Sequence, residues 1–236
     1  MASVTLPRSA GSLSGRFTGV VIALAMVGTV AILLKIGAWL DYSGVTSTWT
    51  QNQRAITINL AGQRLEIPAN MIRERAQRQT AIKLESIELA VVWPEMTGYE
   101  ARLASAFTDT GVTSPRVLIS LQADRRTAGT YQRLETVYRL LASGPATEGE
   151  DGLSRLPLSQ AESDASDFIA YSPPEEAFAA RCFVPADTRL SAECRREFRV
   201  GPDLMASYRF RPVHLKDWRV LDRSIAALVA SFRKQQ

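Results

Sequence analysis

Residues 178–210 read FAARCFVPADTRLSAECRREFRVGPDLMASYRF, and the alternation in this stretch decides the fold. Phe178, Ala180, Cys182 and Val184 step by two, as do Cys194, Arg196, Phe198 and Val200. Side chains two apart share one face of a strand, so both runs predict strands. Setting Cys182 opposite Cys194 puts Ala180 opposite Arg196 and Phe178 opposite Phe198, a consistent antiparallel register. Residues 185–191 connect the two. Gly201-Pro202-Asp203 then turns the chain into Leu204, Ala206, Tyr208 and Phe210, a third strand. Beyond it Leu215, Trp218, Leu221, Ile225, Leu228 or Val229, and Phe232 recur at steps of three and four, the apolar stripe of a helix. Pro212 ahead of that helix and Arg233 and Lys234 in its last turn suit its two ends.

Working upstream, the same period of two appears in Ile87, Leu89, Val91 and Trp93, and in Val117, Ile119 and Leu121. Ile56, Ile58 and Leu60, then Leu65 and Ile67, flank the turn Ala61-Gly62-Gln63 and predict a hairpin. Met71–Arg78 reads as a short helix. Residues 134–141 fit either period, and Thr136, Val137 and Tyr138 favour a strand. Residues 143–164, rich in Gly, Pro, Ser and acids, read as a long loop or an internal boundary. The expectation is an α+β class: a mostly antiparallel sheet with a C-terminal amphipathic helix packed on it.

The N-terminus is different in kind. Phe17–Leu34 is an apolar run of eighteen residues without a charge, followed by Lys35. At about 1.5 Å per residue, residues 17–40 reach the thickness of a bilayer core. Trp39 and Tyr42 fall where an interfacial aromatic belt lies. A cleaved signal has a shorter apolar core of about 7–15 residues and a small-x-small site, which Ile36-Gly37-Ala38 fits poorly. The reading is a retained transmembrane signal anchor at 17–40. A cytoplasmic tail at 1–16 precedes it, a Ser/Thr-rich juxtamembrane linker follows at 41–55, and an extracytoplasmic domain occupies 56–236. Arg8 and Arg16, with no acid before the span, put the N-terminus in the cytoplasm and the domain in the periplasm. Gly15, Gly19 and Ala23 recur every four residues, the spacing that lets two helices approach closely. Gly and Ala are common in spans, so ordinary composition is preferred to self-association.

The net charge of +4 looks like that of a nucleic-acid binder until it is located. Arg8, Arg16 and Lys35 stand without an acid in residues 1–40, and the remainder carries one more basic than acidic residue. Such a domain has no global field to steer a polyanion, and no nucleic-acid partner is expected. At 46% hydrophobic and 22% charged, the chain is neither disordered nor fibrous.

Trp93-Pro94-Glu95-Met96-Thr97-Gly98-Tyr99, with the segment Ile67-Pro68-Ala69-Asn70-Met71-Ile72-Arg73 before it and the stretch from Cys194 to Trp218 after it, resembles uncharacterised bacterial proteins built as one membrane span plus an outer domain. The resemblance implies that topology and carries no activity.

Cys182 and Cys194, an even pair on adjacent strands of an extracytoplasmic domain, are expected to form a structural disulfide; a redox-active pair usually has C-x-x-C spacing. His214 is the single histidine, and any Ser–His–Asp or Cys–His mechanism must use it. Its place before the helix reads instead as a cap or surface residue. No Gly-x-Ser-x-Gly elbow accompanies it, and Ser231 with Lys234 matches S-x-x-K by coincidence in a helix tail. Glu148, Glu150 and Asp151 do not have the spacing of a calcium loop, so no metal and no cofactor is expected.

Twenty-four arginines stand against four lysines. Arg195 and Arg199, with Arg209 and Arg211 on the next strand, share one parity, and Glu193 and Glu197 share it too. This reads as a solvent face of compensating pairs, with an anion or head-group patch as the sharper alternative. Trp93 and Tyr99 are further binding candidates, on a turn that can present both to a partner or a glycan, with a core Trp and a packed loop Tyr as the preferred reading. The functional expectation is a non-enzymatic binding or accessory protein of the envelope, held in the inner membrane and meeting an envelope protein partner. The alternative is an anchored hydrolase or glycan-modifying enzyme using paired carboxylates, Glu95 with Asp109 or Asp124.

Overall fold

A computed structural model describes residues 15–42, 49–125, 127–158, 165–187 and 189–233, with side chains of the first helix described for 19–35. Arg8, Lys234, most of the linker and the side chains of Arg16, Trp39 and Tyr42 lie outside these residues. The chain divides into two units at Thr48/Trp49. In the first, α1 (Gly15–Tyr42) is a 28-residue helix. Among the described residues, no helix is long and apolar enough to cross a membrane.

The second unit holds two sheets. β1 (Ala55–Leu60) and β2 (Gln63–Pro68) form the expected hairpin, and β3 (Ile82–Leu84) adds to β1 in parallel. The eight-stranded sheet is built from β4 (Ser86–Val92), β5 (Arg116–Ala123), β6 (Thr147–Glu148), β7 (Ser154–Pro157), β8 (Ser166–Tyr171), β9 (Ala179–Val184), β10 (Glu193–Arg199) and β11 (Leu204–Phe210). Its order is β4-β5-β11-β10-β9-β8-β7-β6, and every neighbouring pair is antiparallel. Cys194 pairs with Cys182 as the alternation requires, and the two are bonded as a disulfide across Cα atoms 3.9 Å apart.

One face of this sheet is apolar. Ile87, Leu89 and Val91 stand opposite Leu121, Ile119 and Val117, and Cys194, Ala206, Tyr208 and Phe210 continue the layer. The hairpin residues Ile58, Leu60, Leu65 and Ile67 belong to the same core, as do Trp218, Leu221, Ile225 and Val229 of α3 (Trp218–Ser231). The end of α3 also meets the hairpin through the Glu66 amide, which donates to the Phe232 carbonyl at 2.8 Å.

The hairpin turn places Ala61 at φ 53° and Gly62 at φ 77°. Two left-handed residues in succession make the two-residue turn that matches strand twist, and asparagine tolerates the first position better than alanine. Ala61→Asn is expected to raise stability by about 0.5–1 kcal/mol, read as a higher melting temperature.

Three expectations change. Met71–Arg78 is not an α-helix: it holds two 3₁₀ turns, Ala69–Met71 and Arg75–Gln77. Its first part instead runs along β4, where the Arg73 amide donates to the Glu88 carbonyl. Residues 134–141 hold no strand. Leu134–Tyr138 is a π-helical turn, because Leu134 and Tyr138, four apart, are both drawn into a small core with Leu156, Leu158 and Ile169. That burial outweighs the β-branched content of the segment. Residues 143–158 include β6 and β7, so this part of the expected loop belongs to the large sheet.

Two of the three segments that carry the resemblance touch. The Tyr99 amide donates to the Asn70 carbonyl at 2.9 Å, and Asn70 Nδ2 donates to the Tyr99 carbonyl at 3.2 Å. Gly98 lies between them, and a Cβ there would sit 2.8 Å from the Asn70 backbone. Gly98→Ala is therefore expected to cost about 2 kcal/mol, measured by urea unfolding, because the obstacle is main chain and has no rotamer to change.

Candidate functional site

The second face of the large sheet divides into three zones. At one end Ala90, Val92 and Leu118 are roofed by α2 (Ala104–Thr108) through Phe107, with Trp49 and Tyr99. Trp49 stacks on Tyr99 at 6.0 Å and meets Phe107 edge-on at 4.8 Å. The second unit thus begins at Trp49. At the other end Leu134 and Tyr138 roof Leu156, Leu158, Ile169 and Ala179. The zone between the two roofs is charged and open.

Register fixes the floor of this middle zone. Arg195 of β10 stands opposite Arg209 of β11 and opposite Arg181 of β9. Three arginines thus lie at one level on adjacent strands, where like charges directly opposed repel. Carboxylates on the same face reduce that cost. Arg195 meets Glu197 at 2.9 Å, and Arg181 meets Asp167 at 2.5 Å. Arg209 reaches Glu88 and Glu193 only at 4.0 and 3.8 Å.

One wall is the segment before the π-helical turn. β9 pairs with β10 only over Glu193–Arg195. Beyond that fork the Thr130 amide donates to the Glu197 carbonyl, and the Glu197 amide donates to Thr130 Oγ1, both at 2.9 Å. Thr130 therefore takes the place of a strand neighbour, and Arg133 of the same segment pairs with Glu197 and lies over the Tyr138 ring. The facing rim is two loops held together by Arg211, which is buried and donates to the Ala192 carbonyl at 2.8 Å and the Thr110 carbonyl at 3.0 Å. Ser191 Oγ donates to the same Thr110 carbonyl at 2.9 Å.

Two adjoining cavities result. One, of about 480 Å³, is lined by Arg133, Arg181, Phe183, Ser191, Arg195 and Glu197 among others. The second, of about 200 Å³, lies over Glu88, Ser120, Ser207 and Arg209, and Arg195 lines both. Sites for small apolar ligands are usually enclosed and lined by hydrophobic side chains. This one is open and floored with guanidinium and carboxylate groups, which suits a charged macromolecular surface.

The expected binding residues do not all meet here. Arg195 and Arg209 do. Arg211 shares their parity, yet its guanidinium is used up in holding loops. Arg199 lies at the strand end, where Nη1 donates to the Asp124 carbonyl at 2.9 Å. Trp93 is half-buried against the main core and Tyr99 sits under the α2 roof, so neither is presented as a free aromatic. Arg181 and Arg133 were not among the expected residues. For Arg181 the signal is present in the sequence, since the register that joins the cysteines sets Arg181 opposite Arg195. Nothing local marks Arg133, whose position depends on the fold of its segment.

Other candidates for chemistry are engaged elsewhere. His214 is buried, and its Nε2 lies 2.9 Å from the Ser114 carbonyl, so Nε2 carries the proton; it neither caps the helix nor faces solvent. Glu150 pairs with Arg155 and Asp151 with Arg219. Among the described residues no group of three His, Cys, Asp or Glu side chains is arranged to hold a metal ion. Glu95 and Asp124 lie beyond opposite ends of β5, roughly 25 Å apart at about 3.3 Å per residue, too far to act as a pair. Asp109 Oδ1 accepts from the Gly111 amide at 2.7 Å, a turn contact.

No protein-family model matches the chain, and no curated protein matches it in sequence. Among solved structures, the chain is similar to Smlt3025, an immunity protein of the Stenotrophomonas maltophilia type IV secretion system. The TM-score is 0.53 at 14% identity, over 78% of this chain and 94% of that one. It also matches the iron-regulated outer membrane lipoprotein FrpD of Neisseria meningitidis, with a TM-score of 0.44 at 13% identity, over 79% of this chain and 96% of that one. The first likeness is one of fold.

Proposed function

We propose that the chain is a membrane-anchored binding protein of the bacterial envelope, whose outer domain engages a protein partner. The observation that carries this reading is the open charged zone between two apolar roofs, with three arginines in register across β9, β10 and β11. A row of like charges costs folding free energy, and a complementary partner surface offsets that cost. The likeness in fold to an immunity protein of a secretion system goes with this reading by analogy of fold.

The anchor is α1, with the N-terminus cytoplasmic and the outer domain periplasmic. Its support is the uncharged run Phe17–Leu34 and the exposure of Val20, Val30, Ile32 and Leu33 on different sides of the helix. A helix that is apolar all round needs a non-aqueous cover. Arg8 and Arg16 set the orientation by the positive-inside rule. The disulfide agrees with an oxidising compartment.

In-cell crosslinking of the full chain, followed by mass spectrometry, tests the reading. A reproducible envelope protein that disappears when residues 49–236 are deleted is the expected result. Recovery of the same proteins with and without that domain would remove the basis for a binding role.

A further inference from the structure

The charged zone has a polarity of its own. Among the described residues Arg209 makes only the two long ion contacts at 3.8 and 4.0 Å, and it lines the cavity without a close acceptor there. Arg195 shares its one carboxylate, Glu197, with Arg133. On the same face Arg116 and Arg211 hold backbone carbonyls: Arg116 that of Phe107, Arg211 those of Ala192 and Thr110. Their charges are therefore not matched by close carboxylates, and the face carries a positive excess. Burial, then the charges of Arg211 and Arg73, hold the Arg116 pKa below its ordinary value, with Asp109 opposing and Arg209 adding a smaller push down.

The rim adds apolar surface. Phe183 and Leu190 are 47% and 60% exposed, and Ser191 beside Leu190 is bonded to the Thr110 loop that carries exposed Val112. Arginines next to exposed aromatic and aliphatic side chains are the composition of protein-binding centres.

We propose that this face docks an acidic segment of a partner protein, with carboxylates on Arg195 and Arg209 and an apolar side chain against Phe183 and Leu190; this rests on the binding-protein reading above. Carboxylates suit the site because a guanidinium presents paired donors to them, and the cavity leaves room for a side chain to reach the row.

The test is site-specific photocrosslinking in cells, using the full chain with a benzophenone amino acid at position 183 or, on the exposed side of α3, at position 220. A protein adduct from 183, through a peptide rich in Asp or Glu, is expected. Arg195→Glu with Arg209→Glu is expected to reduce it about tenfold. Arg195→Gln with Arg209→Gln, which removes charge without adding repulsion, should reduce it about fivefold, with the disulfide and melting temperature of both variants checked. An undiminished adduct in both variants, a crosslinked peptide without carboxylates, or a lipid adduct at 183 would each overturn the proposal. Adducts from 220 alone would overturn this surface and leave the binding reading standing; protein adducts from neither position would overturn both.

Discussion

Arg196→Ala is expected to destabilise the unit that starts at Trp49 by about 3–5 kcal/mol, the cost of leaving one member of a buried ion pair alone. Arg196 alternates with Cys194 and Phe198, so strand geometry sends its side chain into the core. There Nε lies 2.8 Å from Asp222 Oδ1, and Nη1 donates to the Ala177 carbonyl at 3.2 Å. The guanidinium also lies over the Phe178 ring at 4.7 Å. Asp222 Oδ1 accepts a hydrogen bond from the Tyr208 hydroxyl at 2.9 Å. The group thus ties β10, β11 and α3 together, and the arginine side chain is only 10% exposed.

Burial pushes the Asp222 carboxyl above its ordinary range, while Arg196 and the Tyr208 hydroxyl pull it back. With a raised native pKa, the folded state binds more protons than the unfolded chain as pH rises from the ordinary carboxyl value to the raised one. This carboxyl's contribution is therefore most favourable on the acid side and is lost as pH rises through the native pKa. Without Arg196 the upward push is unopposed by a cation. The deficit of Arg196→Ala should then shrink towards acid pH, as followed by urea unfolding at several pH values. Arg196→Leu combined with Asp222→Leu and Tyr208→Phe should recover most of the loss, because the apolar set leaves neither a charge nor the Tyr208 hydroxyl stranded. A triple variant as unstable as the single one would refute this account of the pair.

Removing the disulfide is the second large effect. Cys182→Ala with Cys194→Ala is expected to cost about 3 kcal/mol in the chain-entropy account, for residues 12 apart in sequence. Reduction of the wild-type protein in denaturant should give a matching loss. Peptide mapping without reductant should recover the two cysteines as one linked pair. Equal stability with and without the bond would show that the β9–β10 register needs no covalent help from it.

Much of the fold is legible because its main strands are one-sided. Wherever one face is buried, alternation fixes both strand and register, as at Ile87 to Val91 and Val117 to Leu121. The same holds for α3, whose buried stripe is Trp218, Leu221, Ile225 and Val229. Legibility fails where the second face is roofed by irregular chain. Leu134 and Tyr138 carry the only apolar cue of their turn, and β-branched neighbours mask it. β7 is four residues long and contributes one buried residue, Leu156, too few for an alternation to be read.

The candidate site is half legible for a related reason. Arg195 and Arg209 follow from parity alone. Arg181 follows from parity together with the cysteine register. Arg211 shows the limit of parity: one step beyond β11, the same face is covered by loops, and the guanidinium becomes structural. Trp93 and Tyr99 show another limit, since sequence marks a turn with aromatics but not the Trp49 and α2 roof that closes over Tyr99.

The account as a whole depends on where residues 49–236 lie relative to the membrane, and paired reporter fusions test that directly. Alkaline phosphatase fused after Phe232 should be active, and green fluorescent protein at the same point, exported by the same route, should be dark. A fluorescent fusion with an inactive phosphatase would place the domain in the cytoplasm and contradict the envelope reading.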